Sequence, residues 1–176
     1  MPEAASPPDP VKRLAAILWG DEATLARALE RLRSLGPGLD FEGPDRPFDA
    51  TRYYEPEMGQ GLRRRIVSLG SLASPDCLVD LKHAAIEIED ALRGPRGRTV
   101  NVDVGYMDIH KVVLASMKHG PQKIYISRGI YADMICRYSR GTFHTFEWTF
   151  PDFRDGRYDR ELLEVRARYK VDLGRS

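Results

Sequence analysis

The run Leu14-Ala15-Ala16-Ile17-Leu18 limits the fold more than any other stretch, because it is apolar at every position and not at alternate ones. A strand presents successive side chains to opposite faces, so five consecutive apolar residues need cover on both sides of the sheet. The run predicts a central strand from Arg13 to Trp19, with a layer of structure above it and another below. A chain of 176 residues can supply both layers within one domain.

The segments that follow provide candidates for those layers. Asp21 is placed to cap a helix whose apolar residues Leu25, Ala28, Leu29, Leu32 and Leu35 share one face, with Gly36-Pro37 as its stop. From Leu39 to Tyr54, Gly43, Pro44 and Pro47 interrupt the apolar residues, which predicts a short, irregular edge strand. Arg64 to Leu69 reads as a strand offering Ile66, Val67 and Leu69 to the core. Ser74 as N-cap, Pro75 at the first helical position and Asp76 in the first turn open a second helix, which ends before Gly94-Pro95. Its stripe is Leu78, Leu81, Ala85, Ile88 and Leu92, and a strand from Val100 to Val104 follows. This order predicts an α+β fold built on a ferredoxin-like βαββαβ unit.

Beyond it, Lys111 to Lys118, Lys123 to Ser127, Ile130 to Tyr138 and Thr142 to Trp148 are separated by turns at Gly120-Pro121, Gly129 and Gly141. They predict an antiparallel β-meander. Asp108 is also placed to cap a helix over the first of these segments, but its short length and the Gly-Pro turn favour strand. A C-terminal helix over Asp159 to Tyr169 presents Leu162, Val165 and Tyr169 on one side. The domain is expected to span residues 11–176, after a disordered tail from Met1 to Pro10 that holds four prolines.

Charge and composition exclude several classes. The net charge of +1 offers no general attraction to a phosphate backbone, so nucleic acid is an unfavoured partner. No apolar run approaches the roughly 20 residues of a membrane-spanning helix. The N-terminus lacks the features of a secretory signal, and Cys77 and Cys136 read as reduced, partly buried thiols, so a cytoplasmic location is expected. His83, His110, His119 and His144 stand at no metal-ligand spacing, and no metal site is expected.

Three segments carry a family resemblance: Tyr53-Tyr54-Glu55-Pro56-Glu57-Met58-Gly59-Gln60-Gly61-Leu62, Val100-Asn101-Val102-Asp103-Val104-Gly105-Tyr106 and Trp148-Thr149-Phe150-Pro151-Asp152-Phe153-Arg154. With Arg46-Pro47-Phe48-Asp49 and Gly129-Ile130-Tyr131-Ala132, they resemble the bacterial family called domain of unknown function 4416 over nearly the whole chain. Val104 departs from the family's usual proline, and Phe150 and Phe153 from its tyrosines. The resemblance brings no established activity, although members are sometimes labelled GTP-binding. The chain has no G-x-x-x-x-G-K-[ST] motif to support that label.

Several residues invite a ligand. Gly59 and Gly61 permit close backbone approach, and Arg64 adds a donor fork suited to phosphate or carboxylate. Asp103 with Lys111 would complete an anion site around an exposed Arg64, whose removal would cost binding and little stability. Asp103 and Asn101 share a strand face, as do Asp133 and Arg137, so a carboxylate pair becomes available if the two faces meet. Trp148, Asp152 and Arg154 stand together before the last helix, and Tyr53, Tyr54 and Phe146 offer stacking surfaces. Each group also has a plain structural reading as turn, ion pair or core.

Two functions remain open on this sequence: binding of an anionic small molecule such as a nucleotide or phosphorylated metabolite, and a non-catalytic protein-interaction or assembly module. Whether the chain is an enzyme, which cofactor it takes and how it oligomerises are unknown at this level.

Overall fold

A computed structural model describes residues 5–174. β1 (Val11–Trp19) is the central strand, paired antiparallel with β4 (Arg63–Ala73) on one side and β5 (Val100–Met107) on the other. Its two faces feed two cores. Ala15, Ile17 and Trp19 pack with α1 (Glu22–Arg33) and α3 (Leu78–Ala91). Leu14 and Ala16 face Phe153 of α4 (Pro151–Arg154) and Leu162 and Val165 of α5 (Asp159–Asp172). The unbroken apolar run is thus explained by a helical layer on each face of the sheet, each fully buried Leu or Ile contributing roughly 1.5–3 kcal/mol.

Among the described residues one antiparallel sheet of nine strands carries both cores. Its order is β2 (Leu39–Glu42), β4, β1, β5, β6 (Lys111–Ser116), β8 (Ile130–Ser139) and β7 (Ile124–Ser127), so the strands after β5 do not form the expected meander: β6 skips β7 and pairs with the longer β8, which offers more residues to pair. The two-residue β3 (Arg46–Pro47) pairs with β4, and β9 (Thr142–Thr145) pairs with β8. α1 links β1 to β2, and α3 links β4 to β5. The single-turn α2 (Glu55–Met58) precedes β4 and packs Met58 and Tyr54 against Leu18, Phe48 and Leu62.

Local signals explain most boundaries. The Asp21 carboxylate accepts from the Thr24 N–H at 2.8 Å and caps α1, as its position predicts. Ser74 does not cap its helix. Its side chain makes no capping hydrogen bond, because the chain first tightens into a 3-10 turn over Pro75–Cys77 and the α-helix begins only at Leu78. The Asp108 carboxylate accepts from the His110 and Lys111 N–H groups, which fastens the β5–β6 turn instead of starting a helix. In β8 a bulge at Ile135 shifts the register against β6 between Val112 and Val113. Asp133 and Arg137 therefore point to opposite faces, contrary to simple alternation, because one extra residue reverses the parity.

The tail expected over residues 1–10 begins with residues 1–4, which lie outside the described residues. Residues 5–10 are exposed and carry no helix or strand, but the Pro10 carbonyl accepts from the Tyr169 hydroxyl at 2.7 Å. Lys12, fully buried, forms ion pairs with Asp40 and Asp172 and ties the end of α5 to the sheet. Both cysteines are free, Cys136 buried and Cys77 half-buried, and burial pushes the Cys136 thiol up to about 12. Among the described residues no helix is long and apolar enough to cross a membrane.

Candidate functional site

β5 and β6 are paired at three positions, Gly105 to Met107 against Val112 to Leu114, and then part company. Gly105 marks the crossing. A Cβ there would lie 2.0 Å from the Val113 carbonyl oxygen, so the strands approach this closely through the absence of a side chain. Beyond it, residues 100–104 of β5 stay paired with β1 but have no strand partner on the β6 side. α3 supplies the missing partners: the Glu89 carboxylate accepts from the Val102 N–H at 2.6 Å, and the Lys82 ammonium donates to the Val102 carbonyl at 3.5 Å. Two charged side chains on a buried helix face thus stand in for a strand.

The parting opens a cavity of about 140 Å³ whose walls include Lys82 and Glu89 from α3, Asn101 and Asp103 from β5, and Ala115 and Ser116 from β6. Asp133, Lys118, Lys123, Arg98, Tyr53, Tyr54 and Phe150 complete its polar and aromatic lining. Lys82, Glu89, Asn101 and Asp133 are buried, while Tyr53, Lys118 and Phe150 are exposed and lie at the mouth. Lys82 forms no ion pair among the described residues, and Asp133 Oδ1 has no hydrogen-bond partner. Lys123 approaches Asp133 at 3.9 Å and donates to Ser116 Oγ at 2.9 Å.

Electrostatics separate these groups. Burial pushes the Glu89 carboxyl above the usual glutamate range, against the pull of the Val102 N–H and Lys82. Burial does the same to Asp133, opposed by Lys123. The Tyr54 hydroxyl is pushed up to about 12, first by burial and then by the Asp103 charge, so it remains a proton donor at neutral pH. Asp103 is held by a chain of donors. Its Oδ2 accepts from Asn101 at 3.0 Å and from Arg64 at 3.3 Å, and Arg98 donates to the Asn101 side-chain oxygen at 2.9 Å.

The residues singled out in the sequence separate on this geometry. Asp103 lines the cavity, and Arg64 and Asp152 stand directly behind it. Arg64 is buried, not exposed. It donates to Asp152 at 2.5 Å, stands over the rings of Phe48 at 4.8 Å and Phe153 at 5.7 Å, and holds Asp103 through a second hydrogen bond. Burial works against its charge, but Asp152 and Asp103 outweigh it and hold the guanidinium protonated. Lys111 does not join this group, because the Asp108 carboxylate three residues earlier takes its ammonium.

Gly59 and Gly61 make the turn into β4, with φ of 83° and 70°. Gly61 lines a separate surface groove with Arg52 and Arg63. Trp148 stacks on Phe146 at 4.6 Å and donates to the Met134 carbonyl, while Arg154 donates to the Glu147 carbonyl outside the cavity.

Lys82, Glu89, Arg98, Lys118 and Lys123 do not emerge from sequence motifs. A signal existed for two of them: Lys82 and Glu89 lie two turns apart on α3, each beside an apolar stripe residue, where a solvated charge is out of place. The three segments that carry the family resemblance converge here, through Tyr53 and Tyr54, Asn101 and Asp103, and Phe150 with Asp152 behind it.

Neither a curated protein nor a solved structure matches the chain. The family model described as "Domain of unknown function (DUF4416)" matches residues 9–169, and the chain belongs to that family.

Proposed function

We propose that the chain binds an anionic small molecule, of the nucleotide or phosphorylated-metabolite class, in the opening between β5 and β6. The observation that carries this reading is Lys82, a residue only 6% exposed on the cavity wall, whose ammonium makes only a long contact to the Val102 carbonyl. An ammonium removed from water without an ion-pair partner is costly, and a ligand acceptor would relieve that cost. Lys118 and Lys123 extend the positive charge towards the mouth, and Tyr53, Tyr54 and Phe150 offer ring surfaces beside it. Arg64 serves this site from outside by fixing Asp103.

The fold supports the reading by its order. β2, β4, β1 and β5 with α1 and α3 as crossovers support reading this part of the sheet as a ferredoxin-like βαββαβ unit, and β6, which pairs onward with β8, adds the far wall of the cavity. Two free cysteines suit a cytoplasmic setting. Thermal denaturation against a panel of nucleotides and phosphorylated metabolites tests the proposal. At least one anionic member should raise Tm by several degrees, since a ligand at a hundredfold excess over Kd stabilises the native state by about 2.7 kcal/mol. No rise with any member would overturn it.

The second reading, a protein-interaction or assembly module, draws on β7. This strand ends the sheet and exposes Ile124, Tyr125 and Ile126, a combination that pairs readily with another strand. Under that reading the chain would migrate as an oligomer or retain a partner, and would ignore the panel.

A further inference from the structure

We infer that the molecule taken by this pocket is a hydroxyl-bearing monophosphate of about one ring in size, a sugar phosphate by class, with its hydroxyls inward and its phosphate at the mouth. The inference rests on the pocket reading above and narrows it by polarity and volume. Deep in the cavity Lys82 lacks a strong acceptor, and Asp133 Oδ1 has no close hydrogen-bond partner among the described residues, with only Lys123 and the Gln122 side chain drawing on its carboxylate. Both hydrogen bonds made to Asp103 fall on Oδ2, which leaves the lone pairs of Oδ1 unused by the protein. A hydroxyl is the neutral group that both donates and accepts, so a polyol satisfies this mixture where a phosphate does not. A phosphate placed at that depth would lie among Glu89, Asp103 and Asp133 and be repelled by them.

The mouth has the opposite character. Lys118 and Lys123 both lie on the β6–β7 connection; Lys118 reaches over the Tyr53 ring at 5.0 Å, and Lys123, largely buried, links this end to Asp133 at 3.9 Å. A phosphate there meets the exposed Lys118 ammonium and, further in, that of Lys123, and it keeps part of its hydration, which lowers the cost of binding a dianion. Tyr54 and Phe150 flank the passage between mouth and interior and can cover the apolar edges of a ring. Volume sets the size. The cavity of about 140 Å³ is close to the ~150 Å³ apolar cavity that accepts benzene, enough for one ring but not for a base and ribose together.

Isothermal titration of the full chain tests this with ribose 5-phosphate, glucose 6-phosphate, the two free sugars, inorganic phosphate, AMP and GTP. A sugar phosphate should bind at least about ten-fold tighter than inorganic phosphate or the matching free sugar, a margin of about 1.4 kcal/mol. Lys123→Met should remove the advantage over the free sugar, and Asp133→Asn the advantage over inorganic phosphate. Circular dichroism melts confirm that both variants fold. Binding of AMP or GTP without binding of either sugar phosphate would overturn this inference and leave the anion pocket standing. Equal binding of sugar phosphate and inorganic phosphate would also overturn it, and no binding by any probe would overturn both.

Discussion

Arg64 shows how a residue type suited to ligands can be committed to architecture. It is 2% exposed, faces two carboxylates and stands over two aromatic rings, so its charge is spent inside the protein. Asp152, 1% exposed, accepts from both Arg64 and the Tyr158 hydroxyl and would be left uncompensated without the guanidinium. Arg64→Ala should therefore cost about 3–5 kcal/mol in urea denaturation, the usual penalty for breaking a buried pair. A loss below about 1 kcal/mol would show the arginine to be structurally idle. Sequence identified Arg64, Asp103 and Asp152 as polar residues of interest, and the structure joins them. It could not show that Arg64 is buried, because three consecutive arginines at Arg63-Arg64-Arg65 look alike until the strand face is known. Arg63 is exposed, Arg64 points to the core, and Arg65 pairs with Asp45 at the edge.

At the scale of elements, the central fact is that α3 completes β5. Glu89 holds the Val102 N–H, yet its burial raises its affinity for a proton. A carboxyl whose folded-state pKa is raised contributes stability that is fully present below the ordinary glutamate pKa and is lost as pH rises through the folded value. Glu89→Gln keeps an oxygen for the Val102 N–H but cannot ionise. The variant should gain stability relative to the native chain as pH rises from about 4 to about 7, measured by urea denaturation at several pH values. A difference independent of pH would contradict the burial of an ionisable Glu89. The helix itself was legible from its apolar stripe, and so were the strands on either side. The cavity was not, because it depends on where β5 and β6 separate. That point is set by a close backbone crossing at Gly105, and strand patterning is blind to pairing of this kind.

For the whole molecule, the double cover of β1 was legible in its unbroken apolar run, while the identity of the covering layers was only half so. The stripe of α1 and the stripe of α3 predict helices that bury a face, but nothing in Leu162, Val165 and Tyr169 says which surface α5 will meet. The structure places them on the face opposite α1 and α3, with Lys12, Asp172 and the Tyr169–Pro10 contact closing the chain ends together. Removing residues 1–8 leaves that closure intact and should move Tm by no more than about 2 °C in a thermal melt. A larger fall would mean that this segment docks on the domain.

The charges on α3 decide the account, since they either serve a ligand or merely patch an open strand. The double variant Lys82→Met, Glu89→Gln removes both buried charges at once and leaves neither stranded, an exchange that is often neutral or stabilising. Thermal denaturation of this variant beside the native chain, with and without the anions that stabilise the latter, is the most direct test. The account predicts an unliganded Tm equal to or above the native value and no rise with any anion. A variant that melts far lower, or one that keeps the full ligand-induced rise, would contradict it.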